Sequence, residues 1–243
     1  MHVFTDKYLL DPSNKHYLLN NMMGPNAMRI SEEMASYLDI NEQMRILDLS
    51  CGRGLSTLFL IRKYGVKVFA ADLYVDPTEN YKRFMELGLE DNAIPICLDA
   101  TKGLPFACEY FDILFSVNSY QYYGRTKEVL PSLIPFVKKC GYIAVAVPGW
   151  KDHVTNGTPD EMMQFAPNGE DARIHTLKWW EELWGNTVGI ELVVSREMSC
   201  CTQAWEEWQA SPNPNPCTSS DKRILEVEKG QYFSIIQLIA KVL

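Results

Sequence analysis

Short apolar runs alternate along the chain with longer stretches in which apolar residues recur at helical spacing. The short runs are rich in β-branched residues, which is typical of buried parallel strands. The pattern predicts seven strands, at 44–49, 66–71, 94–98, 111–117, 140–147, 189–195 and 232–242. It predicts helices at 27–38, 54–64, 78–88, 125–139, 175–184 and 218–229. Strands that alternate with helices indicate an α/β fold, with βαβ units around a mainly parallel sheet.

Glycine and proline modify two of these helices. Gly65 is expected to end the second helix, because glycine readily adopts the left-handed conformation of a helix C-terminus. Pro131 and Pro135 lie inside the segment 125–139 and should kink or break its helix.

The domain organisation follows from chain length and from where the alternation fails. A chain of 243 residues with 47% hydrophobic composition suits one α/β domain over 1–243. Residues 148–174 and 199–217 carry turn formers and aromatic residues, and we interpret them as substrate-side insertions. Residues 1–30 precede the regular pattern and are expected to form an amino-terminal cover.

Charge and cysteine content limit the classes of partner. The 31 acidic residues outnumber the 23 basic ones, for a formal net charge of -8, so nucleic acid is not an expected partner. The amino terminus does not resemble a secretory signal, and no apolar stretch is long enough to cross a bilayer. The seven scattered cysteines fit reduced thiols better than a disulfide framework, and their spacing does not support a metal site. We therefore expect a cytoplasmic protein without a membrane partner.

The most informative stretch runs from a predicted strand into a glycine-bearing turn that opens a helix. Gly52 and Gly54 let the backbone approach a ligand where a Cβ would collide. Asp72 follows at the end of the second strand, where a carboxylate can accept hydrogen bonds from both hydroxyls of a ribose. The alternative is that these are ordinary turn residues, but their joint spacing favours a nucleoside-binding crevice.

Two features of this crevice disfavour a dinucleotide. A pyrophosphate-binding turn requires a third glycine shortly after Gly54, where this chain continues with Leu55, Ser56 and Thr57. Asp48, inside the end of the first strand, would repel bound phosphates and suits a cationic ligand better. An NAD-dependent oxidoreductase is therefore the weaker alternative.

The segment LDLSCGRG at 47–54 resembles motif I of the class I S-adenosylmethionine-dependent methyltransferases, in which three alternating glycines usually follow an acid. Here Ser50 replaces the first glycine. The family has a Rossmann-like seven-stranded sheet with order 3-2-1-4-5-7-6, an antiparallel last strand and helices on both faces. The resemblance therefore implies that fold, with S-adenosyl-L-methionine as the cofactor. It implies a cofactor-binding set made of Asp48, Ser50, Cys51, Gly52, Gly54, Asp72, Leu73, Asp99, Ala100 and Asn118.

Several members of this set resemble family positions with a defined contact. Asp72 resembles the ribose-binding acid, and Leu73 the residue that packs against adenine. Asp99 and Ala100 resemble the segment that contacts the adenine amino group, although Asp99 could also be a simple surface acid. Asn118 closes the fourth strand, as in the family.

Residues 118–123 follow the fourth strand, where this fold places side chains near the transferred methyl group. The run NSYQYY lacks the prolines found at this place in nucleic-acid amino methyltransferases, which lowers the expectation of base methylation. Tyr120 is a candidate catalytic residue that could position or accept a proton, or it could be a half-buried aromatic.

The substrate side contains further candidates without a specific motif. His153 and His175 could act as general bases, but histidines in polar loops are usually solvent-exposed. Five tryptophans could line an acceptor pocket or pack in the core; they are Trp179, Trp180, Trp184, Trp205 and Trp208. Cys200, Cys201 and Cys217 leave a thiophilic acceptor such as arsenite as a further alternative.

The sequence thus predicts a methyltransferase that transfers a methyl group to a small-molecule acceptor. The alternative from another class is a protein that binds the cofactor and transfers nothing. Neither the acceptor nor the oligomeric state is indicated by any motif.

Overall fold

The computed structural model describes residues 12–154, 173–211 and 225–243. Within them, every predicted strand is present. The long strands are β1 Arg45–Leu49, β2 Lys67–Asp72, β3 Ala93–Cys97, β4 Phe111–Val117, β5 Val137–Trp150, β6 Ile190–Glu197 and β7 Phe233–Val242. A two-residue strand, His175–Thr176, pairs with the end of β5. The prediction for β5 was too short at both ends, because its pairing with β7 continues out to Trp150.

The long strands form one sheet with the order β3-β2-β1-β4-β5-β7-β6. The first five are parallel to one another, and β7 is antiparallel to both β5 and β6. This confirms the order and the antiparallel last strand that the family resemblance implied. The direction in which strands are added reverses between β1 and β4, so the sheet opens a crevice at their carboxyl ends.

The described helices are α1 Pro12–Asn21, α2 Ala27–Ala35, α3 Leu55–Tyr64, α4 Pro77–Glu86, α5 Val129–Leu133, α6 Leu177–Gly185 and α7 Cys201–Ala210. Four of them lie close to their predicted positions. The helix predicted at 125–139 is reduced to α5 and a 3₁₀ turn, Ile134–Phe136, as the two prolines required. Neither α1 nor α7 was predicted as a helix. Of the segment 218–229, residues 225–228 are helical and 218–224 lie outside the described residues.

Apolar side chains cover both faces of the sheet. On one face α2, α3 and α7 bury a cluster that includes Met28, Phe59 and Ala204. On the other face α5 and α6 contribute Leu130, Trp180 and other buried residues. Parallel strands need this covering on both sides, which explains their continuous apolar runs. No helix among the described residues is long and apolar enough to span a membrane.

A bulge in β5 brings its backbone close to β4. Cys140 has a φ of 62°, and the pairing of β4 with β5 shifts register between Phe111 and Ile113. A Cβ on Gly141 would lie 2.5 Å from the backbone oxygen of Asp112. The close approach of the two strands therefore requires glycine at this position.

We predict that Gly141→Ala destabilises the fold by roughly 1–3 kcal/mol, because the added methyl group collides with backbone that cannot rotate away. Thermal unfolding measured by circular dichroism checks this. Gly185→Ala is the matched control, since Gly185 is helical and has open space around its Cβ position. The control should be neutral or slightly stabilising, and equal melting temperatures for the two variants would contradict the prediction.

Candidate active site

The turn between β1 and α3 depends on left-handed backbone conformations. Ser50, Gly52 and Gly54 have φ values of 61°, 56° and 80°. A Cβ on Gly54 would lie 2.5 Å from the ring of Phe84, so only glycine fits there. Ser50 adopts a conformation that costs a non-glycine residue about 1–2 kcal/mol, which explains why the family usually has glycine at this position.

Asp72 holds this turn from the neighbouring strand. Its Oδ2 accepts a hydrogen bond from the backbone N–H of Gly52 at 2.8 Å. Its Oδ1 accepts from the N–H groups of Tyr74 at 2.8 Å and Val75 at 2.9 Å. These bonds fix the carboxylate at the edge of the crevice. A carboxylate has about four acceptor positions, so a sugar hydroxyl can still bond to it.

Asp48 faces the interior of the same turn. It is fully buried, and its Oδ2 accepts hydrogen bonds from Ser56 Oγ at 2.7 Å and Thr57 Oγ1 at 2.6 Å. Its Oδ1 has no hydrogen-bond partner among the described residues. Burial raises the pKa of Asp48 to about 6. The acid therefore ties β1 to the first turn of α3, and it carries an unfavourable buried charge at neutral pH.

Other side chains support the turn from outside. Asn80 of α4 is buried and donates from Nδ2 to the carbonyl of Gly52 at 2.9 Å. Cys51 is buried, and its backbone N–H donates to the carbonyl of Ala71 at 2.9 Å. Sequence reasoning missed Asn80; the available signal was a polar residue on the apolar side of an amphipathic helix.

The predicted adenine side lies after β2 and β3. The backbone N–H of Leu98 donates to the carbonyl of Asp72 at 3.0 Å, which places Asp99 and Ala100 beside the end of β2. The Thr101 hydroxyl and N–H both donate to Asp99 and lower its pKa. Leu73 is 41% exposed, as expected of an apolar side chain that a ring could cover. Their contacts with a cofactor stay predictions.

The amino-terminal segment lies over the turn. The Tyr17 hydroxyl donates to the carbonyl of Arg53, and a Cβ on Gly52 would lie 3.2 Å from Met23 Sδ. Asn118 Nδ2 donates to the carbonyl of Pro25 at 2.9 Å. Residues 17–25 thus bridge the ends of β1 and β4. Residues 1–11 of the predicted cover lie outside the described residues.

Tyr120 is placed differently from a catalytic tyrosine in an open crevice. Its ring is fully buried against Tyr123, Trp180 and Trp184, with centroid distances of 5.3, 5.9 and 5.8 Å. Burial raises the pKa of its hydroxyl far above the usual value, so the hydroxyl stays protonated at neutral pH and does not act as a base. A catalytic role for Tyr120 stays a prediction that this geometry does not favour.

Asn118 and Gln121 lie at the end of β4. Asn118 has a φ of 59°, and its carbonyl accepts a hydrogen bond from Gln121 Nε2 at 2.9 Å. Gln121 is buried, and sequence reasoning did not single it out. A glutamine beside three tyrosines gives no distinctive pattern.

The predicted insertions are described only in part. Residues 155–172 and 212–217 lie outside the described residues, and 201–210 form α7. Trp205 stacks on Phe233, and His175 stacks on Trp179 with ring centroids 3.6 Å apart. Trp180 and Trp184 are core residues.

The cysteines in the described part of the chain bear on the metal and arsenite alternatives. The six cysteines in the described part of the chain are free of disulfides, and burial raises the pKa of Cys201 to about 12. Within the same part, no group of three or more His, Cys, Asp or Glu side chains is placed to hold a metal ion. Cys217 lies outside it.

Comparison with known proteins extends the resemblance beyond single motifs. Residues 46–141 match a family model described as a methyltransferase domain. The chain is 28% identical over 142 residues to the methyltransferase GfsG of Streptomyces halstedii, covering 58% of this chain and 49% of that protein. It is 29% identical over 121 residues to a glycine/sarcosine/dimethylglycine N-methyltransferase of Actinopolyspora halophila, covering 49% of this chain and 21% of that protein. The matched part of the chain thus spans about half of the length of the first relative and about a fifth of the length of the second.

Among solved structures, geranyl diphosphate C-methyltransferase from Streptomyces coelicolor A3(2) superposes with a TM-score of 0.71 and 16% identity. The superposition covers 90% of this chain and 80% of that one, which was solved with Mg²⁺, geranyl diphosphate and S-adenosyl-L-homocysteine. At this identity the likeness shows the shared fold. Residues 46–141 therefore match a methyltransferase domain, and the strand order is the one expected of the class I S-adenosylmethionine-dependent methyltransferase fold.

Proposed function

We propose that the protein is an S-adenosylmethionine-dependent methyltransferase that transfers a methyl group to a small-molecule acceptor. The observation that carries the proposal is the turn at 50–54, held in left-handed conformations by the Asp72 carboxylate on the adjacent strand. This arrangement, together with the family match over residues 46–141, favours methyl transfer over a nicotinamide-dependent reaction.

The residues of the crevice fit this cofactor. Glycine at position 52 keeps a Cβ out of the space beside Met23, which the amino-acid part would approach, and Asp72 would hold the ribose. Leu73 would pack against the adenine, and Asp99 and Ala100 would contact its amino group. When bound, S-adenosyl-L-methionine supplies a methyl group already activated by a positively charged sulfur.

The chain's own contribution is mainly positioning. The segment 17–25 covers the turn and excludes water from it, since Tyr17 and Asn118 fasten the segment at both sides. Acceptor alignment falls to residues at the carboxyl ends of β4 and β5. We further propose that this is a single domain whose segments at 148–174 and 199–217 face the acceptor. A nucleic-acid substrate, a membrane partner and a metal have no part in the proposal.

We predict that Asp72→Ala weakens binding of S-adenosyl-L-homocysteine by about tenfold or more, because it removes a sugar contact and the support of the Gly52 turn. Isothermal titration calorimetry measures the dissociation constant. Asp76→Ala is the control, because Asp76 also accepts backbone N–H groups but does so at the exposed N-terminus of α4. Unchanged binding by Asp72→Ala would remove the ribose assignment.

A second prediction concerns the stability of the ligand-free protein at different pH values. Burial raises the Asp48 pKa from 3.8 to about 6, so the folded state holds this proton more tightly than the unfolded state does. Protonation of Asp48 therefore contributes stability that is fully present below about pH 4 and is lost as pH rises through 6. The pKa difference corresponds to about 3 kcal/mol at full ionisation.

Asp48→Asn keeps an acceptor for Ser56 and Thr57 but carries no charge. Its melting temperature should match the wild type near pH 4 and exceed it by several degrees at pH 7.5. Thermal scans across this range test the prediction. A difference between the two proteins that does not change with pH would show that Asp48 does not titrate in this window.

Methyl transfer itself is tested with methyl-labelled S-adenosyl-L-methionine and a pool of cellular metabolites. We expect label in the small-molecule fraction and its loss in Asp72→Ala. If the protein binds S-adenosyl-L-homocysteine but labels no metabolite, it is a cofactor-binding protein without transferase activity.

A further inference from the structure

Asn118 Oδ1, Gln121 Oε1 and Gln237 Oε1 are buried side-chain amide oxygens without a hydrogen-bond partner among the described residues. Asn118 and Gln121 each donate through the side-chain nitrogen to a backbone carbonyl, at 2.9 Å in both cases. These bonds orient the two amides and leave their oxygens free to accept. Gln237 is fully buried in β7, and its Nε2 also lacks a partner in the described part of the chain.

Asn118 and Gln237 are connected across the sheet through Ala146 of β5, and Gln121 lies in the 3₁₀ turn that follows β4. The carbonyl of Asn118 accepts from Gln121, and the N–H of Asn118 donates to the carbonyl of Ala146 at 2.8 Å. Ala146 is in turn the antiparallel partner of Gln237. Directly opposed residues in a sheet point to the same face, and Ala146 faces the cluster beneath α2 and α7. The Gln237 amide therefore lies under these helices, at the level where β4 ends.

The amino-terminal cover and α7 close over this place. The carbonyl of Pro25 accepts a hydrogen bond from the side-chain amide of Asn118. The backbone N–H of Asn26 donates to the carbonyl of Ala204 in α7 at 3.0 Å. Asn26 Nδ2 also donates to Glu207 at 2.7 Å. Asn118 and Gln237 therefore lie beneath the amino-terminal segment and α7.

Unpartnered amides in such a place require an explanation. Leaving a buried polar group without a partner costs about 1–3 kcal/mol, whereas an apolar side chain would cost nothing of this kind. Groups retained at such a cost are often functional. Arg196 is opposite Gln237 in the sheet and already contacts Glu33 at 3.3 Å and the Tyr37 hydroxyl. The side-chain oxygens of the three amides are hydrogen-bond acceptors, which suits a ligand that has N–H donors.

We propose that Asn118, Gln121 and Gln237 form the acceptor site and that the acceptor is a primary or secondary amine; this rests on the proposed methyltransferase function. The amide oxygens accept hydrogen bonds from the amine N–H groups, which directs the nitrogen lone pair at the methyl group. That lone pair forms the new nitrogen–carbon bond, the carbon–sulfur bond breaks, and its electron pair returns to sulfur. The acceptor reacts as the neutral amine, so its ammonium form first releases a proton to water, and the product leaves as the methylated ammonium.

Gln237→Met tests the site without knowledge of the natural acceptor, because methionine keeps the length of the side chain and removes both unpartnered atoms. We expect the melting temperature to stay unchanged or rise by up to about 4 °C, with unchanged affinity for S-adenosyl-L-homocysteine. Ile239→Met, on the same face of the same strand, is the control for packing. A melting temperature well below that of the control would show that the amide is paired in the native protein and would overturn the proposal.

Acceptor chemistry is tested with matched compounds: benzylamine, benzyl alcohol and benzyl mercaptan, and sarcosine, methoxyacetate and methylthioacetate. We expect methyl transfer to amines alone, with a KM that Gln237→Met raises about tenfold and Ile239→Met leaves unchanged. Two results would overturn the amine assignment and leave the cofactor site intact. One is methyl transfer to an alcohol or thiol but not to its amine counterpart. The other is transfer to no compound although S-adenosyl-L-homocysteine binds. Failure of the wild type to bind S-adenosyl-L-homocysteine refutes the proposed function instead.

Discussion

The hydrogen bond between the Asp72 carboxylate and the N–H of Gly52 joins the ends of β2 and β1, and the rest of the crevice depends on it. It holds a turn in which three residues take left-handed conformations, one of them the non-glycine Ser50. Such a turn is strained in isolation. Asp48 and Asn80 support it from other directions, and the amino-terminal segment covers it.

Two acids beside one turn have different consequences. Asp72 lies at the edge, where backbone N–H groups satisfy it. Asp48 is enclosed, with one unpartnered oxygen among the described residues and a pKa raised to about 6. A buried carboxylate of this kind stores unfavourable electrostatic energy, which a positively charged ligand nearby would relieve. The ligand-free protein is thus less stable near its crevice than its packing alone would allow.

The fold was largely predictable because its main signals are local. Apolar runs identified the strands, and the turn at 50–54 with Asp72 identified the crevice. The family resemblance was needed for the strand order. The helix α1 was missed because its sequence has little amphipathic character, and α7 because its cysteines and tryptophans precede a proline-rich loop. The burial of Tyr120 could not be foreseen, since Trp180 and Trp184 come from a distant segment. The unpartnered amides likewise depend on Gln237, which β7 brings beside β5.

The most direct test of the account is a crystal structure of the protein soaked with S-adenosyl-L-homocysteine. The account predicts the ribose within hydrogen-bonding distance of Asp72 and the amino-acid part against the turn at 50–54, beneath residues 17–25. Density for the ligand at another place, or a crevice that stays empty at saturating concentration, would contradict it.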